Sequence, residues 1–203
     1  MPRQSPAMNF LAHAFLAGAD PADRLGGILG DFVKGPLPAG LPAAVADGVA
    51  LHRRIDSYAD GHPAFRASRA RVSAERRRYA GIMIDLFYDH FLALHWDEFS
   101  PEPLADFTAG TYALLARHSG LLPPRLAQIF PHMRREDWLG SYRALPSVAE
   151  ALDNMSRHRL RRPNPLAGAA QELEDGYEGY EGDFRVFIRD AQRFAAAHRA
   201  QRS

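Results

Sequence analysis

Between Ile82 and Leu92 the chain reads IMIDLFYDHFL, and this segment constrains the fold more than any other. Apart from Asp85, Asp89 and His90 it is apolar around the whole circumference of a helix, so it has to be covered on every side. Nothing in the sequence offers a sheet to cover it. No segment alternates apolar and polar residues between turn pairs, as half-buried strands do, and no repeat recurs at a fixed period. Other helices must do the covering, and 203 residues supply one substantial core without requiring a second. The expected fold is all-α: a single-domain helical bundle of about eight helices.

Turn and cap residues set the expected boundaries. Residues 1–7 read as a disordered lead and 8–203 as one α-helical domain. A helix from Asn9 to Ala17 is followed by another starting at Asp20-Pro21, which stops at Lys34-Gly35-Pro36. Pro36 to Pro42 is a loop. Helices are then expected over Ala43–Tyr58, Ala64–Val72, Ser73–Trp96, Ser100–His118, Pro123–Pro131, Arg135–Leu145 and Pro146–His158. Pro163 and Pro165 mark a break, and an acidic stretch leads into a final helix over Asp183–His198.

The chain has no cysteine, which excludes disulfides, zinc ribbons and thiol nucleophiles. Any metal must be held by His, Asp and Glu. Apolar runs reach only about ten residues, too short to cross a bilayer, and no secretory signal is recognisable. A soluble, cytoplasmic protein is expected, with no membrane partner. The charges are segregated. Eight arginines lie between His52 and Arg78, a second basic cluster runs from Arg157 to Arg162, and acids collect between Glu172 and Asp183. These are either solvated helix faces or a surface that attracts an anionic partner. No aromatic-interleaved basic motif or DNA-binding signature points to nucleic acid.

Asp85 and Asp89 are four residues apart and share a helix face, with His90 about 100° further round. Carboxylates in such apolar surroundings cost several kcal/mol each unless paired, so they meet either arginines of a neighbouring helix or a cation. In the next candidate helix, Val45, Val49, His52 and Asp56 form one stripe that begins apolar and ends in an imidazole and a carboxylate. That spacing offers two ligands to one ion or makes a structural His–Asp hydrogen bond. The segment GGILGDFVKG from Gly26 to Gly35 is no Walker loop, because it lacks GK[ST]. Its glycines suit tight helix packing, and Asp31 stands among apolar residues. His13 lies inside FLAHAFLA. No G-x-S-x-G elbow exists. The inventory of His13, Asp31, His52, Asp56, Asp85, Asp89 and His90 is rich in oxygen and nitrogen donors without sulfur. It suits Mn, Fe, Mg or Zn used in hydrolysis.

Four blocks in order, MNFLAH at Met8–His13, GDFVKG at Gly30–Gly35, HRRID at His52–Asp56 and YDHFL at Tyr88–Leu92 with Asp85 before it, resemble the acyl carrier protein phosphodiesterase family. The resemblance runs from Met8 to about Arg162. The family is regarded as a divergent, HD-like relative of the all-α HD-domain metal phosphohydrolases. It implies metal-dependent hydrolysis of the phosphodiester between 4′-phosphopantetheine and a serine of holo-acyl carrier protein, a part of fatty acid and lipid metabolism. The expected ion is Mn²⁺, with Mg²⁺ or Fe²⁺ as alternatives. By the same resemblance Asp31, His52 and Asp89 take catalytic roles, and metal ligation passes to Asp31, His52, Asp56, Asp89 and His90, with Asp85 and His13 beside them. Asp89-His90 stands in the reverse order of the His-Asp doublet of HD domains. The acidic stretch DGYEGYEGD has no counterpart in the family pattern.

An acidic carrier protein would dock on the arginine-rich segment, with Arg53, Arg54, Arg66 and Arg69 as candidate substrate- or partner-binding residues and the first two near the phosphate. Two other functions remain open from sequence. One is an HD-like phosphohydrolase acting on a nucleotide or other small phosphodiester. The other is a non-catalytic helical protein that binds an acidic partner.

Overall fold

A computed structural model of the chain describes residues 9–159 and 164–202. The lead expected over residues 1–7, together with Arg161 and Arg162 of the second basic cluster, lies outside them. Among the described residues there are eleven α-helices and no strand. They are α1 (Phe10–Leu16), α2 (Pro21–Leu29), α3 (Ala43–Gly61), α4 (Pro63–Arg71), α5 (Ala80–Leu94), α6 (Leu104–Arg117), α7 (Pro124–Arg135), α8 (Trp138–Ser141), α9 (Leu145–Asn154), α10 (Ala170–Asp175) and α11 (Tyr177–Ala200). The number is somewhat above the expected eight or so: the helix expected over Arg135–Leu145 is cut to the four residues of α8, and α10, six residues long, is too brief to carry a periodic pattern.

The apolar segment forms α5, buried from Ile82 to Ile84 and again from Leu86 to Ala93. Helices α1, α4, α8, α9 and α11 all pack against it. The acidic and aromatic stretch near the C-terminus is itself helical, so α11 begins at Tyr177 and not at Asp183. Tyr180, Phe184, Phe187, Ile188, Ala191 and Ala195 form one buried face, which leaves the acids on the others.

The expected long helix from Ser73 does not start there: α5 begins at Ala80, preceded by a short 3-10 turn over Arg77–Tyr79. Tertiary bonds have taken the place of the helical ladder. The Ser73 N–H and hydroxyl donate to the Glu172 carboxylate at 2.9 and 2.6 Å. Arg76 donates to Glu172 and to the Pro165 carbonyl.

Helix α2 is started by Asp20, whose carboxylate accepts from the Ala22 and Asp23 amides, with Pro21 at the first helical position. Its crossing with α3 is unusually close. A Cβ on Gly26 would come within 2.5 Å of the α3 backbone at Gly48 and Val49, so only glycine permits the approach. This contact brings the end of α2 against the side chains of α3, where the chemistry gathers.

Candidate metal site and anion pocket

His52 sits in α3 with its ring against Gly30, where any side chain would collide: a Cβ there would lie 2.2 Å from the imidazole. Its Nδ1 is 2.7 Å from the Gly27 carbonyl. A carbonyl only accepts, so Nδ1 carries the proton and donates it, which turns Nε2 toward the site. One turn along α3, the Asp56 carboxylate lies 3.3 Å from that Nε2. Its other oxygen is 3.0 Å from Nε2 of His13, which α1 supplies. The two imidazoles stack, with centroids 3.7 Å apart and 21° between planes. Asp31, in the turn after α2, places Oδ1 3.8 Å from His52 Nε2. His13, His52 and Asp56 thus converge one donor atom each within 4.8 Å, the arrangement that can hold a metal ion.

The electrostatics suit a cation. Burial, and then the neighbouring His52, push the His13 pKa down to about 4, so that ring is neutral at pH 7. Burial would depress His52 as well, but the hydrogen bond and charge of Asp56, the charge of Asp31 and the Gly27 carbonyl outweigh it and hold its pKa above the usual value. For Asp56, burial is outweighed by the two histidines, which hold its carboxyl well below the usual range. His13 Nδ1 is buried and has no hydrogen-bond partner among the described residues.

Among the described residues the two aspartates of α5 meet no arginine. Asp89 is fully buried and accepts from the amides of Leu11 (3.0 Å) and Ala12 (2.8 Å) in the first turn of α1. Helix α1 makes no side-chain cap of its own, and Asn9 instead donates to Asp85 at 3.3 Å. Asp89 therefore serves α1 as an N-terminal cap supplied from another helix. Burial raises the pKa of both carboxyls. The charges of Asp56, Asp31 and Asp89 add to this for Asp85, and at Asp89 the two amides oppose it. His90 is turned away from this group: Nδ1 meets the Tyr142 carbonyl at 2.8 Å and Nε2 the Tyr177 hydroxyl at 2.9 Å.

A pocket of about 190 Å³ opens beside the cluster, lined by Asp31, Val33, Lys34, His52, Arg53 and Asp56 among others. Arg53 commits a donor from each terminal nitrogen to the chain itself, bonding the Gly35 carbonyl at 2.9 Å and the Val33 carbonyl at 3.0 Å. Of the other arginines singled out in the sequence, Arg69 pairs with Asp60. Arg54 and Arg66 are exposed, without an ion pair among the described residues. Arg71 and Arg76 are also engaged, with Asp183 and Glu172. The arginine-rich segment is thus largely occupied in holding the fold. Lys34, which sequence reasoning passed over, lines the pocket; its place between Asp31 and Gly35 was the available signal.

A model of the acyl carrier protein phosphodiesterase family matches residues 8–191. The chain belongs to that family. Curated relatives named acyl carrier protein phosphodiesterase include one from Serratia proteamaculans (strain 568), 40% identical over 183 residues that cover 89% of this chain and 93% of the relative. Those of Yersinia pestis and Enterobacter sp. (strain 638) are each 35% identical over 181 residues, with the same coverage. No solved structure matches the chain. All the residues of the site described above lie within the matched span. None of the described helices is long and apolar enough to cross a membrane.

Proposed function

We propose that this family member hydrolyses the phosphodiester between 4′-phosphopantetheine and the carrier-protein serine, releasing apo-carrier protein and 4′-phosphopantetheine, and that it needs a divalent ion to do so. The observation that carries the reading is the convergence of His13, His52 and Asp56, the last two of which line the pocket, in a chain whose relatives bear that name. The residues fit a metal. Two imidazoles and carboxylates without sulfur form a donor set for Mn²⁺, with Mg²⁺ or Fe²⁺ as lesser candidates. An ion held there would supply Lewis-acid stabilisation of phosphate charge and water activation.

The chain's own groups have separate tasks. Gly27 fixes the His52 tautomer, so that Nε2 faces the site. Asp56 bridges the two imidazoles and orients both. Asp31, nearly buried beside His52, is the carboxylate assigned to the reacting water, and Asp89 holds the helix on which His13 rides. The gathering of histidines and aspartates inside a helical bundle supports kinship with HD-domain phosphohydrolases, and a cytoplasmic location goes with this reading.

The test is mass spectrometry of purified holo-carrier protein incubated with the enzyme, with Mn²⁺ and with chelator. Loss of the phosphopantetheine mass is expected only with metal. Asp31→Ala is expected to abolish that loss while its circular dichroism stays native. Turnover by Asp31→Ala, or turnover in chelator, would sink the assignment.

A further inference from the structure

Resting on the phosphodiesterase reading, we propose that Lys34 is the side chain that engages the anionic oxygen of the substrate phosphate, and that Arg53 is the positioning residue that presents it. The geometry divides the two roles. Arg53 donates one terminal nitrogen to the Val33 carbonyl and the other to the Gly35 carbonyl, the two peptide groups that bracket Lys34. Two of the five guanidinium N–H groups are committed to those carbonyls, which holds Arg53 to the backbone of the turn. It can fix the backbone on either side of the lysine.

The turn is fixed at both ends in other ways too. Val33 is buried, and Gly35 has φ +82°, a left-handed conformation open to glycine. Lys34 is exposed, lines the pocket with Asp31, His52 and Asp56, and makes no ion pair among the described residues. A phosphodiester entering this pocket meets two carboxylates, Asp31 and Asp56, and needs a compensating cation. An ammonium on a flexible four-carbon stem is a point charge that can follow the oxygens as negative charge grows in the transition state.

Three probes decide it, one of which needs no turnover. Inorganic phosphate is titrated calorimetrically into the Mn²⁺-loaded protein, and hydrolysis of bis(4-nitrophenyl) phosphate and of holo-carrier protein is followed in parallel. Lys34→Gln is expected to weaken phosphate binding and to lower kcat/KM about 10- to 100-fold on both substrates. Lys34→Arg is expected to stay within about threefold of the parent, because the charge survives. Mn²⁺ affinity should not change in either. Arg53→Gln is expected to show a similar loss that adds little to Lys34→Gln in the double variant, the mark of action through the lysine.

Unchanged phosphate affinity in Lys34→Gln overturns the proposal, whether or not either ester is hydrolysed. A loss confined to the carrier protein overturns it as well, and makes Lys34 a docking contact. Failure of the parent protein to cleave any diester counts against the phosphodiesterase reading alone, since phosphate affinity still decides the role of the lysine.

Discussion

At the residue scale the decisive feature is that two stacked imidazoles titrate in opposite directions. His52 gains a proton more readily than a free histidine, because Asp56 and Asp31 face it, whereas His13 is desolvated and stays neutral down to about pH 4. A raised pKa contributes folding stability below the unfolded value and loses it as pH rises through the folded one. The metal-free protein should therefore lose the His52 contribution on the alkaline side of pH 6.5, where a cation can take the place of the proton. Metal binding at pH values below the folded His52 pKa should then release a proton from His52, and near neutrality none from His13. Apparent Mn²⁺ affinity should fall about tenfold per unit as pH drops below the His52 pKa, and flatten above it. Calorimetry in buffers of different ionisation enthalpy, from pH 5 to 8, measures both. A release of two protons near pH 6 would mean that His13 titrates like an ordinary histidine.

At the scale of elements, Asp89 shows how one side chain acts through a helix. With seven residues and no cap of its own, α1 gains two hydrogen bonds from α5 at its first turn, and His13 lies one residue beyond them. Asp89→Ala would leave two buried amides unsatisfied, at a cost on the order of 3 kcal/mol in chemical denaturation. Faster hydrogen exchange should be concentrated at Leu11 and Ala12, and Mn²⁺ affinity should fall with it. Asp89→Asn keeps one acceptor and should lose less in every readout; an equal loss in both variants would argue for direct ligation.

The same scale separates what was legible in the sequence from what was not. The all-round apolar pattern of Ile82–Leu92 gave the central helix, and the i, i+4 pair His52 and Asp56 put both on one face of α3, because these are properties of a single helix. The start of α5 was misread because Ser73 and Arg76 are claimed by Glu172, nearly a hundred residues later. Likewise, no local pattern could have told that Asp89 would cap α1, that His90 would turn to Tyr142 and Tyr177, or that Arg53 would commit donors to two carbonyls.

At the scale of the whole molecule, the site joins elements that are distant along the chain. His13 comes from α1, Asp31 from the turn after α2, and His52 and Asp56 from α3, while α5 supplies the carboxylates behind them. Buried carboxylates in electrostatic reach of one another oppose folding at neutral pH, which is why burial and like charge raise Asp85 and Asp89. A cation bound among these elements relieves that repulsion and binds only the folded chain, since the unfolded chain does not bring the ligands together. Ligand linkage then gives about 2.7 kcal/mol at a metal concentration a hundred times the dissociation constant. For a chain of this length that corresponds to a rise in Tm of roughly 5–10 °C. The expected result is a saturable upward shift with Mn²⁺ in differential scanning calorimetry, reversed by chelator and strongly reduced in His52→Ala. A shift that survives in His52→Ala would put the ion elsewhere on the molecule, and no shift at all would mean that the carboxyls of α5 are relieved by protonation and not by a cation.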